Sequence, residues 1–239
     1  MLACKDALEE ANGDEEKAIE ILRKKGIAQA AKKAARDQAE GLVFLKSDKS
    51  KAAMLLLRCE TDFVARDDVF SVIGKELVET LFAKGEDAAK KLAEQKLPDV
   101  VQKLGENISV GEMATVAADI AGTYVHSNAK IGVVIGLKGG TEEHAKDLAM
   151  HAAAMAPKYV TPDQAPADLI ASERGIWEEQ VKKEGKPAAI AEKILLGKEK
   201  KFREENALLK QAFVKDPSKT IEQYLGGAEV TQYVRMSVK

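Results

Sequence analysis

The sequence predicts an α+β fold built on small antiparallel sheets, and three observations carry that prediction. Strand-like segments come in runs joined by short polar turns, from Leu42 to Cys59 and from Ile108 to Leu137, and do not alternate one for one with helices. Helical periodicity, with apolar residues three and four apart, dominates before, between and after those runs. Of the 239 residues 45% are hydrophobic, which is enough to bury a core and excludes disorder as the main state, at a length that suits one or two domains.

Leu2 to Ala11 places Leu2, Ala7, Leu8 and Ala11 at helical spacing, and Asn12-Gly13 stops that helix. Asp14 opens a second one, with Glu15 and Glu16 where carboxylates favour the dipole and Ala18, Ile19 and Leu22 as its apolar stripe. Lys24-Lys25-Gly26 is expected to end it, leaving a helical mini-domain over 1–26 that is small on its own. Ile27 to Glu40 reads as an alanine- and lysine-rich linker helix whose Lys32, Lys33 and Arg36 form a solvated face. After Gly41 the period changes. Leu42–Leu45 is a short strand, Ser47–Ser50 a turn, and Ala52–Cys59 a second, more buried strand. Asp67 or Asp68 caps a long helix to Lys84, with Phe70, Ile73, Leu77 and Leu81 among its apolar side; Gly85 breaks it, and more helix follows to Leu104, bent near Pro98. Strands are expected at Ile108–Ala117, Gly122–His126 and Ile131–Leu137. Thr141 then starts an apolar helix through Met155 that Pro157 ends. Pro166–Gly185, Pro187–Gly197 and Lys198–Glu205 read as three charged helices, Ser218–Leu225 as a short one, and Val230–Val238 as a closing strand.

Several function classes drop out. There are 37 basic residues against 39 acidic ones, a net charge of −2, which removes the basic excess a nucleic-acid binder usually shows. The apolar run Ile131–Leu137 is far short of the roughly 18 residues of a membrane span. Two cysteines make no disulfide framework, and the N-terminus is too acidic too early for a signal peptide, so a cytoplasmic protein is expected. Gly132 to Lys138 has its glycines at the wrong spacing for a phosphate loop. His144 and His151 lie seven apart on one helix, without further ligands at metal-binding spacing. Cys59 with the distant His126 can be drawn as a nucleophile pair, but a buried cysteine at a strand end is the plainer reading. No catalytic residue, cofactor or metal is expected, and the composition argues against an enzyme.

One segment resists explanation as packing. Arg58-Cys59-Glu60-Thr61-Asp62-Phe63-Val64-Ala65-Arg66 joins a buried strand to a helix, where Gly, Pro or small polar residues are usual. Either Phe63 or Val64 is a hydrophobic staple on the following helix, or Phe63 is an aromatic anchor in a charged rim, the anatomy of an interaction hot spot. The residues alone leave both open.

Cys59-Glu60-Thr61-Asp62-Phe63-Val64-Ala65 closely resembles the signature of the bacterial elongation factor Ts family, guanine-nucleotide exchange factors for elongation factor Tu. Ala3 to Asp14 resembles the family's N-terminal signature, followed by Ile21-Leu22-Arg23-Lys24-Lys25-Gly26. Leu104-Gly105-Glu106-Asn107-Ile108, Tyr124-Val125-His126 with Lys130-Ile131-Gly132-Val133, Ala149-Met150-His151-Ala152-Ala153, Lys186-Pro187 with Ile190-Ala191-Glu192-Lys193, and Phe213 to Thr220 continue the series in the family's order. The resemblance implies a ubiquitin-associated-type helical domain over 1–26, a linker over 27–41, and two related α+β core halves over 42–107 and 108–239, the second carrying a helical protrusion at about 166–205. That protrusion would either pair with a second copy, as a homodimer, or fold back. Against the family's pattern a first helix is expected to be missing here, which would leave Leu8, Ile19 and Leu22 poorly covered. The resemblance further implies that Thr61, Asp62, Phe63 and Val64 approach the Mg²⁺ region of elongation factor Tu. Phe63 would act as a wedge, and Asp62 would disturb the ion's water shell. Leu104, Gly105 and His126 would be further partner contacts, although His126 can also be read as a satisfied sheet-edge histidine; Met1 and Leu2 would pack on a partner helix. Two competing readings are an interaction module without exchange activity and a small cysteine-dependent enzyme.

Overall fold

A computed structural model of the chain describes residues 2–184 and 187–238. Helices α1 (Leu2–Glu10) and α2 (Glu15–Lys33) are joined by a turn in which Asn12 and Gly13 take positive φ, and the Asp14 carboxylate caps α2 by accepting from the Lys17 N–H at 3.1 Å. α2 does not stop at Gly26. It continues to Lys33 and lies along α5 (Glu86–Leu104). The reason is tertiary: a Cβ on Gly26 would come within 2.9 Å of the Gln102 side chain and 3.7 Å of the Pro98 carbonyl, so this glycine permits a close helix crossing and caps nothing. The expected linker helix is therefore the second part of α2, followed by an irregular stretch to residue 39.

β1 (Glu40–Ser47) and β2 (Lys51–Cys59) form the expected hairpin, with Glu40 opposite Cys59 and Ser47 opposite Ala52. β3 (Ser109–Ala117) pairs antiparallel with the other edge of β2, giving the order β1-β2-β3. The first sheet thus extends past residue 107, and a division at 107/108 would separate its third strand from it. The second sheet has the order β4-β5-β8, from β4 (Ile120–Val125), β5 (Ile131–Lys138) and β8 (Glu229–Ser237).

The two sheets face each other, which explains why β2 is an unbroken apolar run. Its Ala53, Leu55, Leu57 and Cys59 share a core with Phe70, Ile73, Leu77 and Leu81 of α4 (Asp68–Lys84) and with Ala89, Ala93 and Val101 of α5. Its Ala52, Met54 and Leu56 instead meet Val134 of β5 and Met236 of β8. On the far side Val133, Ile135 and Leu137 of β5 pack on Leu148, Ala149 and Ala152 of α6 (Glu142–Met155). The layers run helices, sheet, sheet, helix, and alternate residues of each central strand serve opposite layers. Gly132 is required between the sheets: a Cβ there would lie 2.5 Å from Val43 Cγ1 and 2.7 Å from Met54 Sδ.

Helices α7 (Ala167–Lys183) and α8 (Ala188–Glu205) fold back on one another, joined by Trp177, Val181 and Leu195, with the Phe202 ring edge-on to Trp177 at 5.7 Å. α8 runs unbroken through Gly197, where two helices were expected. A lone glycine among good helix formers costs only about 1 kcal/mol, which packing of the flanking turns offsets. Pro217 and Ser218 lie in β7 (Asp216–Thr220), which pairs with β6 (Ala212–Phe213); α9 (Ile221–Leu225) begins only after Thr220, the residue that caps it.

Candidate functional site

At the end of β2 the chain turns into α3 (Asp62–Ala65), a single helical turn. Thr61 caps it: its backbone is extended and its Oγ1 accepts from the Val64 N–H at 3.4 Å. Val64 and Ala65 are buried in the core shared with Phe70 and Ile73. Since each helical residue advances about 100°, burying Val64 and Ala65 sends Phe63 outward, and Phe63 is 82% exposed. The staple is Val64, not Phe63. The Asp62 carboxylate pairs with the Arg66 guanidinium at 2.9 Å, one turn on.

The turn is held from behind by the segment that follows α5. Gly105 takes the left-handed conformation (φ 82°) that ends the helix; a Cβ there would meet nothing within 4 Å, so the position needs glycine for its dihedral angle. Leu104, half-buried, sits just before it, and Glu106 is delivered just after. The Glu106 carboxylate accepts three hydrogen bonds: from the backbone N–H groups of Glu60 and Thr61, each at 3.0 Å, and from the Thr61 hydroxyl at 2.5 Å. Glu60 reciprocates, accepting from the Asn107 N–H at 2.7 Å and from the Arg36 guanidinium at 3.4 Å. Buried Asn107 in turn donates from Nδ2 to the carbonyls of Ala34 and Arg36, at 3.3 and 2.9 Å. Thr61–Val64 and Leu104–Gly105 therefore stand together, tied to the chain that leaves α2. The sequence assigns no partner to Glu60, Glu106 or Asn107 and places Arg36 on a solvated face, whereas its guanidinium reaches Glu60. The segments Cys59–Ala65 and Leu104–Ile108 carry Glu60 and Glu106, but nothing local says which amides those acids meet.

His126 opens the β4–β5 turn. Its N–H donates to the Ile131 carbonyl at 2.9 Å, its ring Nδ1 lies 3.0 Å from Asn128 Oδ1, and the residue is exposed. This turn rests on β1: the Val43 N–H donates to the Ala129 carbonyl at 2.7 Å, and Lys130 pairs with Glu40 at 2.5 Å. Glu40 faces Cys59 across the hairpin, so the His126 turn is attached at the same end of the first sheet as the Thr61 turn. Met1 lies outside the described residues, and Leu2 is the first residue of α1. The other histidines serve packing. His144 sits edge-on to Tyr224 at 4.9 Å, and buried His151 bonds Gln211 and the Val214 N–H.

Cys59 is unsuited to nucleophilic work. It is fully buried, its thiol donates to the Thr61 carbonyl at 3.2 Å, and burial together with the nearby Glu106 and Glu40 carboxylates pushes its pKa up to about 12. Among the described residues no group of three or more His, Cys, Asp or Glu could hold a metal ion, and no helix is long and apolar enough to cross a membrane.

Comparison with known proteins fits this picture. The family model described as Elongation factor TS matches residues 60–239. A protein named Elongation factor Ts from Idiomarina loihiensis is 43% identical over 250 residues, covering 100% of this chain and 85% of the relative. The Hydrogenobaculum protein of the same name is 43% identical over 245 residues, covering 97% of this chain and 89% of its own length. That of Pseudoalteromonas atlantica is 45% identical over 249 residues, with 100% and 86% covered. With an ordered match across its whole length and the mixed helix and antiparallel-sheet architecture described above, the chain belongs to the elongation factor Ts family.

Proposed function

We propose that the chain binds the GDP-bound form of elongation factor Tu and promotes GDP release by disturbing the Mg²⁺ and phosphate site of that partner. The observation that carries this reading is Phe63: a large aromatic side chain 82% exposed on a helical turn whose other residues are anchored. An exchange factor accelerates nucleotide loss only by binding the nucleotide-poor partner more tightly than the nucleotide-bound one, and that coupling is reciprocal. GDP is held largely through its phosphates and the metal ion, so a group that displaces the loops around them weakens it. Phe63 supplies rigid volume with only two side-chain torsions to freeze, and its ring is the wedge. Asp62 disturbs the ion's water shell once its carboxylate leaves Arg66. Leu104, Gly105 and His126 extend the contact from the same end of the first sheet, and Met1 and Leu2 add further partner contacts.

The test is release of labelled GDP from purified elongation factor Tu with and without this protein, over a range of Mg²⁺. Accelerated release supports the reading. Tight binding without acceleration would make the chain an interaction module and overturn it. Asp62→Ala should impair release chiefly when Mg²⁺ is present, and less once the metal has been chelated.

A further inference from the structure

The geometry points to Glu106 as a positioning residue for exchange: its carboxylate fixes the pose in which Phe63 is presented, without touching the partner itself. This rests on the exchange reading above and extends it to a group outside the proposed contact surface. Phe63 has no packing of its own to hold it, being 82% exposed, so its direction is set by the backbone of Thr61–Val64. Buried Val64 and Ala65 anchor the far end of that turn, but its leading end at Glu60 and Thr61 lies outside the core, and a four-residue helix has too few internal hydrogen bonds to hold that end by itself. Glu106 supplies the missing restraint. One oxygen takes the Glu60 and Thr61 N–H groups and the other takes the Thr61 hydroxyl. The hydroxyl is thereby oriented so that a lone pair on Oγ1 meets the Val64 N–H and caps the turn. A carboxylate suits this place because it accepts on both oxygens; an amide in its position offers one acceptor and one donor. The restraint is also local to the turn. The hydrogen bonds of Glu106 fall on Glu60 and Thr61, beyond the end of β2, whose Leu55 and Leu57 are held by α4 and α5.

The test is a double-mutant cycle on stimulated GDP release at saturating factor, with Phe63→Ala, Glu106→Ala and the pair combined. Glu106→Ala is expected to lower the maximal rate about tenfold, in line with the loss of hydrogen bonds to a charged group, and Glu106→Gln to lie between it and the unaltered chain. If Glu106 acts through Phe63, the double variant is no slower than Phe63→Ala alone. Multiplying effects would mean an independent role, and an unchanged rate for Glu106→Ala would mean no role; either overturns the assignment. Amide hydrogen exchange at Thr61 and Val64 keeps the test alive if release cannot be scored. Faster exchange there in Glu106→Ala, with β2 amides unchanged, supports the restraint, whereas unchanged exchange at Thr61 and Val64, or exchange raised throughout the chain, overturns it. Failure of the unaltered protein to accelerate release at all would defeat the exchange reading instead, and the hydrogen-exchange arm separates the two failures.

Discussion

The Thr61–Ala65 turn and the α1–α2 helix pair both hold large apolar side chains out to solvent, Phe63 in one and Leu8 and Ile19 in the other, but on unequal frames. Behind Phe63 lie buried Val64 and Ala65, a core shared with two long helices, and five hydrogen bonds that reach 45 to 47 residues along the chain or close the cap. Behind Leu8 and Ile19, which are 39% and 58% exposed, lie three buried alanines with Ile21 and Leu22 packed on them. An alanine buries little apolar area, and the Lys25–Glu10 ion pair that joins the helices is half-exposed and worth at most about 1 kcal/mol. The contrast separates two ways of offering an apolar surface. A framed side chain leaves little to order when a partner arrives, whereas a thinly supported one must be ordered by the partner.

Hydrogen exchange should show the largest difference. Amides of β2 are expected to exchange at least about a thousandfold more slowly than those of α1, since the former open only with the global fold. Equal protection would break the comparison by showing that contact with α5 stabilises the helix pair as a whole. Next in size is Phe63→Ala, which should slow stimulated GDP release tenfold or more while the melting temperature stays put, as expected of an interaction hot spot on a side chain that is 82% exposed. A lowered melting temperature with an unchanged rate would return Phe63 to a packing role. Val64→Ala should act mainly on the frame, costing about 2 kcal/mol of stability read by denaturant titration, with a smaller loss of release by the folded fraction than at Phe63. On the thin frame, Ile19→Ser should leave stability within about 0.5 kcal/mol and weaken partner binding severalfold by calorimetry, a smaller loss than at Phe63.

The smallest effect is a pH dependence that sharpens the comparison from outside both regions. Buried His151 has its pKa pushed below the usual histidine value by burial, with the Gln211 bond partly opposing. Its Nδ1 accepts from the Val214 N–H, so the folded state holds it neutral. Its contribution to stability is therefore fully present above its unfolded pKa of about 6.5 and is lost as pH falls through the lower folded value. Thermal melts should show a decline from pH 7 to pH 5 that His151→Gln flattens, with no local loosening at Thr61 or in α1 beyond what each shows at pH 7. A selective loosening of either region in that window would place the acid sensitivity elsewhere.

Much of the secondary structure was legible in the sequence because its determinants act over a few residues. Asp14 and Thr141 cap the helices they were expected to cap, and of Asp67 and Asp68 it is Asp67 that caps α4, each by accepting from an N–H two or three residues on. Short apolar runs bounded by turn residues along Leu42–Cys59 and Ile131–Leu137 marked strands; of the three side chains expected to be poorly covered, Leu8 and Ile19 are exposed and Leu22 is half-buried against the alanines. Glycine was the poorest guide, since it stops a helix at Gly105 and lets one continue at Gly26, and only the neighbour across the crossing distinguishes the two. The tertiary structure alone decided that β3 completes the first sheet, that Val64 faces the core while Phe63 faces out, and that Glu106 and Asn107 clasp the Thr61 turn. Caps and periodicity are short-range, and sequence carries them directly. The partner of a buried or clasped polar group lies dozens of residues away, and that pairing exists only once the core has brought both segments to one end of the same sheet.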